Sequence, residues 1–378
     1  MVGVIERDPQ AAAGRRYDLV IVGGGIQGVS LALEASRRGR SVLLLEKGDF
    51  GSGTTWNNLR IIHGGLRYLQ RLDLSRFRDS VRESGWYMRN YPELVQPLPC
   101  LMPLYGRGLR RPSVLATALW VNDLLTRYWS AGRPAGRRLP RGGVIGPTET
   151  AARFPGVERR GLKGAAVWYD AFAPDSQRIV IEMARRACGH GATMLNYLEA
   201  MRLLTRDGAV EGVEGRDLVA GRSWSFRAPA VVNSTGPWCP EVARRFDSEV
   251  EGLFSPVLLF NLLVDRPPIS DHAVALRGRS PDARTYFILP WKGRVLAGTY
   301  HAPWVDGPES GAPEADLVQA FLDELNDFHP LLGLGESDVL EVFWGLLPAA
   351  REGSVDLARR ARIHDHGSDG GPRGLHSV

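Results

Sequence analysis

The chain has few cysteines, few lysines and no long hydrophobic run among its 378 residues. Cys100, Cys188 and Cys239 are odd in number and far apart, which argues against a disulfide framework or a zinc knuckle and favours a reducing compartment. Residues 1–16 include no apolar core of a signal peptide, and no apolar run is long enough to cross a bilayer. These absences predict a cytoplasmic protein that is at most peripheral at the inner face of the cell membrane.

Basic residues are almost all of one kind, since lysine occurs only at positions 47, 163 and 292 and 44 of the 47 basic residues are arginine. The net charge of +5 fits an anionic substrate or a lipid surface. Without aromatics interleaved on a basic face, it does not predict a nucleic-acid partner. The length predicts two interleaved domains, and a hydrophobic content of 44% is typical of a globular protein.

The thirty residues from Tyr17 to Glu46 combine a strand, a glycine-rich turn, a helix, a second strand and a terminal acid. The apolar run Leu19–Val22 predicts a buried parallel strand. A helix is expected from about Ile26 to Arg38, followed by a strand over Ser41–Leu45. Strand, helix and strand in this order predict a dinucleotide-binding unit.

Each glycine of the Gly23-x-Gly25-x-x-Gly28 motif has its own expected role. Gly23 permits the tight turn, Gly25 lets the backbone approach a pyrophosphate, and Gly28 lets the helix pack closely on the strand. The helix that starts at Ile26 directs its first N–H groups at the phosphates. Glu46, 18 residues after Gly28, can accept hydrogen bonds from an adenosine ribose.

Further blocks of sequence resemble the FAD-dependent glycerol-3-phosphate dehydrogenases and oxidases, which are flavoproteins of the DAO type. After a loop rich in glycine and threonine, the segment His63–Leu69 reads HGGLRYL, as it does beside the flavin in that family. The other matching blocks follow in the family's order: Tyr169-Asp170-Ala171 with Asp175 and Arg178, Asn196-Tyr197, VVNSTGPW at Val231–Trp238, and RTYFILPWKGRVLAGT at Arg284–Thr299.

The resemblance implies an α/β fold, with a Rossmann-like FAD-binding domain interleaved with an antiparallel-sheet substrate domain. The FAD-binding domain is expected from residues 1–75 and 165–250, and the antiparallel substrate domain from 251–345. Residues 76–164 would form a substrate or cap part, and 346–378 an incomplete return to the FAD domain. The implied FAD contacts are Gly23, Gly25, Ile26, Gly28, Glu46, Lys47, Thr54, Thr55, Gly64, Gly65, Thr235, Gly236 and Trp238.

The chemistry that the resemblance implies is oxidation of a C–OH carbon, with hydride transfer to the flavin and electrons passed to quinone or oxygen. His63 is the candidate base because an imidazole takes up a proton near neutral pH, although it can also serve only to hydrogen-bond the loop or the flavin. Arg60 and Arg284 are candidates for gripping an anionic substrate, with solvated surface charge as the alternative. Arg67 and Tyr68 would brace the same block.

The chain departs from the family pattern at the turn that holds the substrate phosphate. The family has Gly-x-Arg-Pro there, and this chain has Gly345-Leu346-Leu347-Pro348. Leu347 cannot bind phosphate, and Arg351 is a candidate substitute. The simplest hypothesis is a related small hydroxy compound whose anion is held differently. The loop at Thr54–Asn58 also differs, since it contains Trp56 and two asparagines where the family is rich in serine.

Arg362–Val378 resembles the approach to the family's last flavin-binding turn, and the chain stops before that turn. We therefore expect a fragment or truncated product that retains FAD less tightly than a complete relative. His364 and His366 are expected on one side of a strand, where surface polar residues are a simpler interpretation than a metal site.

Pattern analysis predicts further elements without reference to any family. A second strand-helix-strand unit is expected around Tyr169, with a helix capped near Asp175 or Ser176. Ala209–Arg227 predicts antiparallel strands joined by turns, and Val231–Gly236 a strand that ends in a small-residue turn. Later strands are expected over Val257–Val264, Thr285–Leu289 and Arg294–Gly298.

Residues 106–141 contain eight arginines against a single acid, Asp123, with apolar and aromatic residues at helical spacing. Such a helix is typical of a membrane surface, or packs its apolar stripe on the flavin domain. Two other functions stay open. One is an FAD-dependent amine or amino-acid oxidase, and the other is a degenerate flavin-binding protein without catalysis.

Overall fold

Helices and strands alternate in the first half of the chain, and strands dominate the second half. The computed structural model describes residues 2–66, 73–106, 111–129, 139–248, 250–277 and 284–378. The helices in these ranges are α1 (Pro9–Ala13), α2 (Ile26–Arg37), α3 (Leu74–Asn90), α4 (Pro112–Trp129), α5 (Pro147–Arg153), α6 (Ser176–Gly189), α7 (Cys239–Arg245) and α8 (Ala315–Phe328).

The strands in the described ranges fall into three sheets. They are β1 (Leu19–Val22), β2 (Val42–Leu45), β3 (Ile61–Ile62), β4 (Gln96–Leu104), β5 (Gly143–Ile145), β6 (Gly164–Phe172), β7 (Thr193–Leu195), β8 (Leu198–Arg206), β9 (Ala209–Asp217), β10 (Ser223–Arg227), β11 (Val231–Asn233), β12 (Pro256–Val264), β13 (Ala273–Arg277), β14 (Thr285–Trp291), β15 (Arg294–Pro303), β16 (Val339–Pro348), β17 (His364–Asp365) and β18 (Leu375–Ser377).

A six-stranded sheet in the order β17-β18-β11-β1-β2-β7 contains the glycine-rich turn. Its strands run parallel, apart from β17. Helices α2 and α6 cover one face, and the antiparallel meander β8-β9-β10 covers the other. Because both faces are covered, β1 and β2 consist entirely of apolar residues, as parallel strands in such sheets usually do.

A nine-stranded sheet in the order β16-β12-β15-β14-β13-β4-β6-β3, with β5 paired to β6, forms the second layer. Alternation along its strands creates two apolar faces. Helices α5 and α8 pack on one face, and α4 with the loop of residues 54–66 packs on the other, which we call the inner face. The residues before and after β3, up to Leu66, therefore lie against the inner face.

The predicted α/β architecture is confirmed, with a Rossmann-like part interleaved with a largely antiparallel one. Strand β1 has the predicted bounds, and α2 ends one residue earlier than expected. Asp175 caps α6, as predicted, by accepting a hydrogen bond from the Arg178 amide (3.1 Å).

The strands of the second strand-helix-strand unit lie in different sheets. Strand β6 pairs antiparallel with β4 in the nine-stranded sheet, whereas β7 pairs parallel with β2 in the six-stranded sheet. The helix between them, α6, crosses from one sheet to the other. The predicted order of strand, helix and strand is confirmed, and local periodicity does not specify the sheet that each strand joins.

The two histidines near residue 365 do not share one side of a strand. His364 lies in the two-residue strand β17, and His366 lies in the following 3₁₀ turn, with its ring between the Ser248 and Ser377 hydroxyls at 2.7 and 2.8 Å. The described residues include no group of three or more potential metal ligands close together. Within these residues, no helix has both the length and the hydropathy of a membrane span.

Candidate functional site

The turn between β1 and α2 leaves no room for side chains at two of its glycines. Gly23 has φ +106°, and a Cβ there would lie 2.5 Å from the carbonyl oxygen of Ser234 in the turn after β11. A Cβ at Gly28 would lie 1.9 Å from the Gly23 carbonyl oxygen. Both distances are far below a van der Waals contact, so the expected roles of these glycines agree with the local geometry.

Glu46 follows β2 and turns its half-buried carboxylate toward the glycine-rich turn. Its two oxygens accept hydrogen bonds from the backbone amides of Gly24 (2.6 Å) and Gly48 (2.7 Å). Burial raises the pKa of Glu46, and the two amide hydrogen bonds oppose that rise. A carboxylate offers about four acceptor positions, so it can accept ribose hydroxyls in addition to these amides.

The first turn of α2 meets the loop after Glu46 at Thr55. The Ile26 amide donates to Thr55 Oγ1 (3.0 Å), and Gly25 is the N-cap without a side-chain cap. A Cβ on Gly25 would come within 3.3 Å of Thr55 Oγ1, so glycine keeps this approach open. Free N–H groups at the start of a helix and the helix dipole both favour an anion. These residues therefore fit the pyrophosphate of a dinucleotide.

The small-residue turn after β11 lies beside this anion-favouring end of α2. Thr235 donates its hydroxyl to Asn233 Oδ1 (2.6 Å), and Gly236 has φ +59° with no atom within 4 Å of a Cβ built there. The backbone is therefore open to a ligand at Gly236. Strand β11 ends at Asn233, directly before the predicted turn Ser234-Thr235-Gly236, and a 3₁₀ turn follows over Gly236–Trp238.

Lys47 and Trp238 are joined by a residue that sequence reasoning did not single out. Glu309 accepts a hydrogen bond from Trp238 Nε1 (2.5 Å) and pairs with Lys47 Nζ (3.3 Å). The Lys47 ammonium also lies 4.7 Å from the centroid of the Trp238 ring. This exposed contact connects the six-stranded sheet to the segment after β15, and nothing in the sequence near Glu309 marks it as a partner of Lys47.

The loop that starts at Thr54 rests on three strands of the nine-stranded sheet. A Cβ on Gly345 of β16 would lie 2.9 Å from the Thr54 side chain. Asn57 accepts a hydrogen bond through its carbonyl oxygen from Asn261 Nδ2 of β12 (3.2 Å), and Asn261 Oδ1 accepts one from Thr299 Oγ1 of β15 (2.8 Å). One of the two unusual asparagines therefore ties the loop to the inner face.

Arg60 lies beneath this loop and is 1% exposed. Nη1 donates to the backbone carbonyl of Trp56 and to Ser176 Oγ (3.0 Å), while Nε and Nη2 have no hydrogen-bond partner. Burial lowers the pKa of Arg60 to about 10. The guanidinium carbon lies within 5 Å of the centroids of three rings, those of Trp56, Trp291 and Phe343. The role of Arg60 in substrate binding stays a prediction.

His63 follows β3 and faces a buried carboxylate. Its Nδ1 lies 3.2 Å from Oδ2 of Asp170, and the Gly64 amide donates to Oδ1 of the same carboxylate (2.7 Å). The His63 side chain is 32% exposed and that of Asp170 is 4% exposed. Gly65 has φ +102° and is packed on Phe77 of α3. The imidazole is thus held at one nitrogen and partly open.

His63 meets the inner face of the nine-stranded sheet at Phe287. The two ring centroids are 5.9 Å apart, and Trp168 also packs edge-on against Phe287, with centroids 6.3 Å apart. Phe287 is paired with Gly298, where a Cβ would lie 3.0 Å from the Leu59 side chain. An imidazole, apolar rings and the loop that starts at Thr54 therefore come together on this face.

Leu347 of β16 lies on the inner face, the same face on which Gly345 contacts Thr54. It is two residues after Gly345 in a regular part of β16, and side chains two residues apart in a strand share a face. His301 also belongs to this face, because Leu259 is paired with both His301 and Gly345. Its Nδ1 lies 3.2 Å from the carbonyl oxygen of Val355. Sequence reasoning did not single out His301.

Arg284 precedes β14 and contacts the neighbouring strand. Its Nη1 donates to the carbonyl oxygen of His301, and the guanidinium lies 5.7 Å from the centroid of the Tyr300 ring. Tyr300 packs with Tyr286 on the face covered by α5 and α8, so the Arg284 guanidinium lies on that side of the sheet and not on the inner face. Arg67 and Tyr68, which were expected to brace the histidine block, lie outside the described residues.

Asp170 is a residue of the candidate site whose position was not predicted from the sequence. It belongs to a matching block, but no role was assigned to it, because its partner His63 is 107 residues away along the chain. The sequence signal was present only in part. Asp170 is an acid near the end of a long apolar strand, where a buried carboxylate requires a partner.

Comparison with known proteins bears on these sites. The family model described as FAD dependent oxidoreductase matches residues 18–374. The chain is similar to the glycerol-3-phosphate dehydrogenase of Synechocystis sp., with 30% identity over 94% of this chain and 65% of that protein. It is also similar to the alpha-glycerophosphate oxidase of Streptococcus pyogenes, with 31% identity over 88% of this chain and 54% of that protein. The chain thus spans roughly half to two thirds of the length of these relatives.

Solved structures agree on the fold. The glycerol-3-phosphate dehydrogenase of Bacillus halodurans complexed with FAD superposes with a TM-score of 0.75 at 23% identity, over 98% of this chain and 62% of that one. L-proline dehydrogenase from P. horikoshii gives a TM-score of 0.65 at 16% identity, over 96% and 87% of the two chains. With the family model matching almost the whole chain, the protein belongs to the FAD-dependent oxidoreductase family.

Proposed function

We propose that this chain oxidises the C–OH carbon of a small anionic hydroxy compound, as a glycerol-3-phosphate dehydrogenase or oxidase does. The observation that carries the proposal is the position of His63. Its imidazole is partly exposed and is held at Nδ1, where the loop that starts at Thr54 meets the inner face. Bound FAD supplies the acceptor for the hydride. The chain binds and orients the substrate and takes up the hydroxyl proton, and quinone or oxygen then accepts the electrons.

The proposed FAD site extends from the glycine-rich turn to the loop before β3. Gly23, Gly25 and Gly28 admit the pyrophosphate, and Glu46 receives the ribose hydroxyls. The remaining proposed contacts flank this line on the loop, the histidine block and the turn after β11, at Ile26, Lys47, Thr54, Thr55, Gly64, Gly65, Thr235, Gly236 and Trp238. Support comes from the open backbone at Gly236 and the anion-favouring start of α2.

Leu347 bears on where the anionic group of the substrate is bound. A leucine on the inner face offers no charge where the family's turn supplies a guanidinium, so we propose a hydroxy compound whose anion is held elsewhere. Arg284 stays the proposed ligand because of its place in the matching sequence block, and its side chain has to turn away from Tyr300 to reach an anion on the inner face. His63 acts as general base, a role typically worth about 10²–10⁴ in rate.

Anaerobic bleaching of the flavin tests this function. The FAD-loaded protein is mixed with glycerol 3-phosphate, other small hydroxy acids and phosphates, and amino acids, and flavin absorbance is followed. We expect bleaching by a hydroxy compound, slowed roughly 10²–10⁴-fold in His63→Asn. Bleaching by an amine alone would indicate the amine-oxidase alternative, and no bleaching by any compound would indicate a degenerate flavoprotein.

Leu347→Arg tests the proposed placement of the anion. If the missing guanidinium is the reason for altered specificity, we expect this variant to oxidise glycerol 3-phosphate with a KM about tenfold lower than the parent, because a bidentate contact to phosphate is worth on the order of 1–3 kcal/mol. Leu347→Met is the matched control and leaves KM unchanged. A parent that already oxidises glycerol 3-phosphate efficiently would contradict the altered placement.

Peripheral contact with an anionic membrane is a further part of the proposal. Helix α4 buries Leu115 and Leu119 in the core, while Trp120 and Leu124 are 65% and 53% exposed on its other side. An apolar exposed stripe in an arginine-rich segment suits the surface of an anionic bilayer.

Co-sedimentation with vesicles tests the membrane contact. We expect binding to phosphatidylglycerol vesicles at low salt, and we expect that the double variant Trp120→Ser and Leu124→Ser abolishes it. Leu331→Ser, at a leucine that is 79% exposed on the far side of the nine-stranded sheet, is the control. Absence of binding by the parent protein would remove this part of the proposal.

A further inference from the structure

The register of the nine-stranded sheet places Asp170 opposite His63. Strand β3 pairs antiparallel with β6, with Ile61 opposite Phe172 and Ile62 opposite Ala171. One step further along this register, His63 meets Asp170. Residues directly opposite on antiparallel strands are close neighbours, so sheet pairing brings together two groups that are far apart in sequence.

The Asp170 carboxylate holds the start of the histidine block at two points. Oδ1 accepts the Gly64 amide at 2.7 Å and Oδ2 lies 3.2 Å from His63 Nδ1. An ionised carboxylate can only accept hydrogen bonds, so Nδ1 must be the protonated nitrogen of the neutral imidazole. Nε2, on the far side of the ring, then has the free lone pair. A base needs this lone pair, and the carboxylate also favours the imidazolium formed when the base takes a proton.

A small cavity beside Asp170 completes the surroundings of the carboxylate. Its volume is about 30 Å³, and a buried water requires roughly 10–15 Å³, so about two waters fit. Such waters can satisfy the lone pairs that the imidazole and the Gly64 amide leave unused. The polar residues of its lining are Asn122, Asp123, Thr126, Arg141 and Asp170.

We propose that Asp170 is the positioning residue of the reaction, fixing His63 as the Nδ1–H tautomer with Nε2 available to the substrate hydroxyl. This inference rests on the proposed function, because it assigns a task to a residue that acts through the proposed base. Asp170 does not accept the substrate's proton itself. It sets the tautomer and the orientation of the ring that does.

Nitrogen NMR of histidine tests the tautomer directly. The FAD-loaded protein is labelled with ¹⁵N-histidine, and the His63 signals are identified by their absence in His63→Asn. We expect the Nδ1–H tautomer in the parent protein, and a mixture or the opposite tautomer in Asp170→Asn. A parent protein with predominantly Nε2–H at His63 would overturn the proposal without any variant.

Rapid-reaction kinetics provides the second readout. We expect Asp170→Asn to slow flavin reduction by substrate roughly 10- to 1,000-fold while retaining FAD. The matched control is Asp217→Asn, which changes an aspartate of equal burial, 3% exposed, on β9 away from His63, and it reduces at the parent rate.

The two proposals fail in different ways. If His63→Asn reduces its flavin at the parent rate, the proposed base and hence the proposed function are wrong. If His63→Asn is slow but Asp170→Asn keeps both the parent rate and the parent tautomer, only the positioning role is wrong.

Discussion

The glycine-rich unit and the region around His63 and Asp170, which we call the substrate end, are built by different kinds of contact. In the first, most groups that face each other are close in sequence, as in the 22 residues between Gly24 and Glu46, and the turn at Ser234 is the distant neighbour described above. In the second, they are far apart, as in the 107 residues between His63 and Asp170. Backbone atoms dominate the first site, and side chains dominate the second.

This difference has a physical origin. A dinucleotide's phosphates are recognised by backbone N–H groups and a helix dipole, which one strand-turn-helix segment supplies. A proton acceptor with a defined tautomer needs a side chain and a second, fixed side chain. Sheet pairing is the means by which this chain brings them together. The cofactor unit therefore tolerates changes elsewhere better than the substrate end does, and the following experiments test that contrast.

The largest effect is expected from Gly28→Val. A Cβ there would overlap the Gly23 carbonyl oxygen at 1.9 Å, so α2 cannot approach β1 and the pyrophosphate site is lost. We expect no measurable FAD absorbance per mole of purified protein. Gly143→Val, at a glycine of β5 with no atom within 4 Å of an added Cβ, is the control and keeps FAD. Parent-like FAD content in Gly28→Val would show that the glycine unit does not hold the cofactor.

An intermediate effect is expected from Arg60→Met, which tests whether Arg60 binds substrate or stabilises the loop that starts at Thr54. The three surrounding rings can accommodate an apolar chain of similar length, but the Trp56 carbonyl loses its donor. We expect the free energy of unfolding to fall by about 1–3 kcal/mol with an unchanged KM. Urea unfolding and steady-state kinetics measure the two quantities. A KM raised tenfold or more at unchanged stability would instead support the substrate-binding prediction.

The smallest effect at neutral pH concerns the edge of the six-stranded sheet, where the contacts are also long-range. Burial, and then the nearby His364 and His376, lower the pKa of His366 to about 4, whereas Asp365 and Asp369 oppose this. As pH falls, the unfolded chain therefore takes up a proton before the folded one does. Stability should decline from about pH 6.5 to 4 by at most about 1.4 kcal/mol per pH unit for this group.

Unfolding by urea at several pH values checks the prediction. His366→Gln keeps a side chain that can bond the Ser248 and Ser377 hydroxyls but does not titrate, so its stability should depend less steeply on pH in this window. Equal slopes for the two proteins would exclude His366 as the source.

Much of the fold was predictable from the sequence, because its signals are local. The run Leu19–Val22 and the glycine turn identified β1 and the start of α2 to the residue. The alternating segment 209–227 was correctly expected to form antiparallel strands. The strand, helix and strand around Tyr169 were predicted in the right order, but the sheet that each strand joins was not, because strand partners depend on the whole chain and not on local periodicity.

The candidate site likewise contains residues whose surroundings the sequence predicts and residues whose surroundings only the structure shows. Gly23 and Gly28 were assigned from spacing, and the local geometry agrees with their turn and packing roles, whereas ribose binding by Glu46 stays a prediction. The structure instead shows Arg60 enclosed among three rings, and it joins Lys47 to Trp238 through Glu309. Neither arrangement has a sequence signal, since each depends on which surface packs against the loop.

Spacing along the chain was sufficient for the dinucleotide unit, because a turn, a helix start and a strand end lie within thirty residues and their geometry follows from backbone rules. The surroundings of His63 were decided only when β3 paired with β6. Tertiary structure alone assigns that histidine a buried carboxylate, because burial and register arise from the packing of segments that the sequence keeps apart.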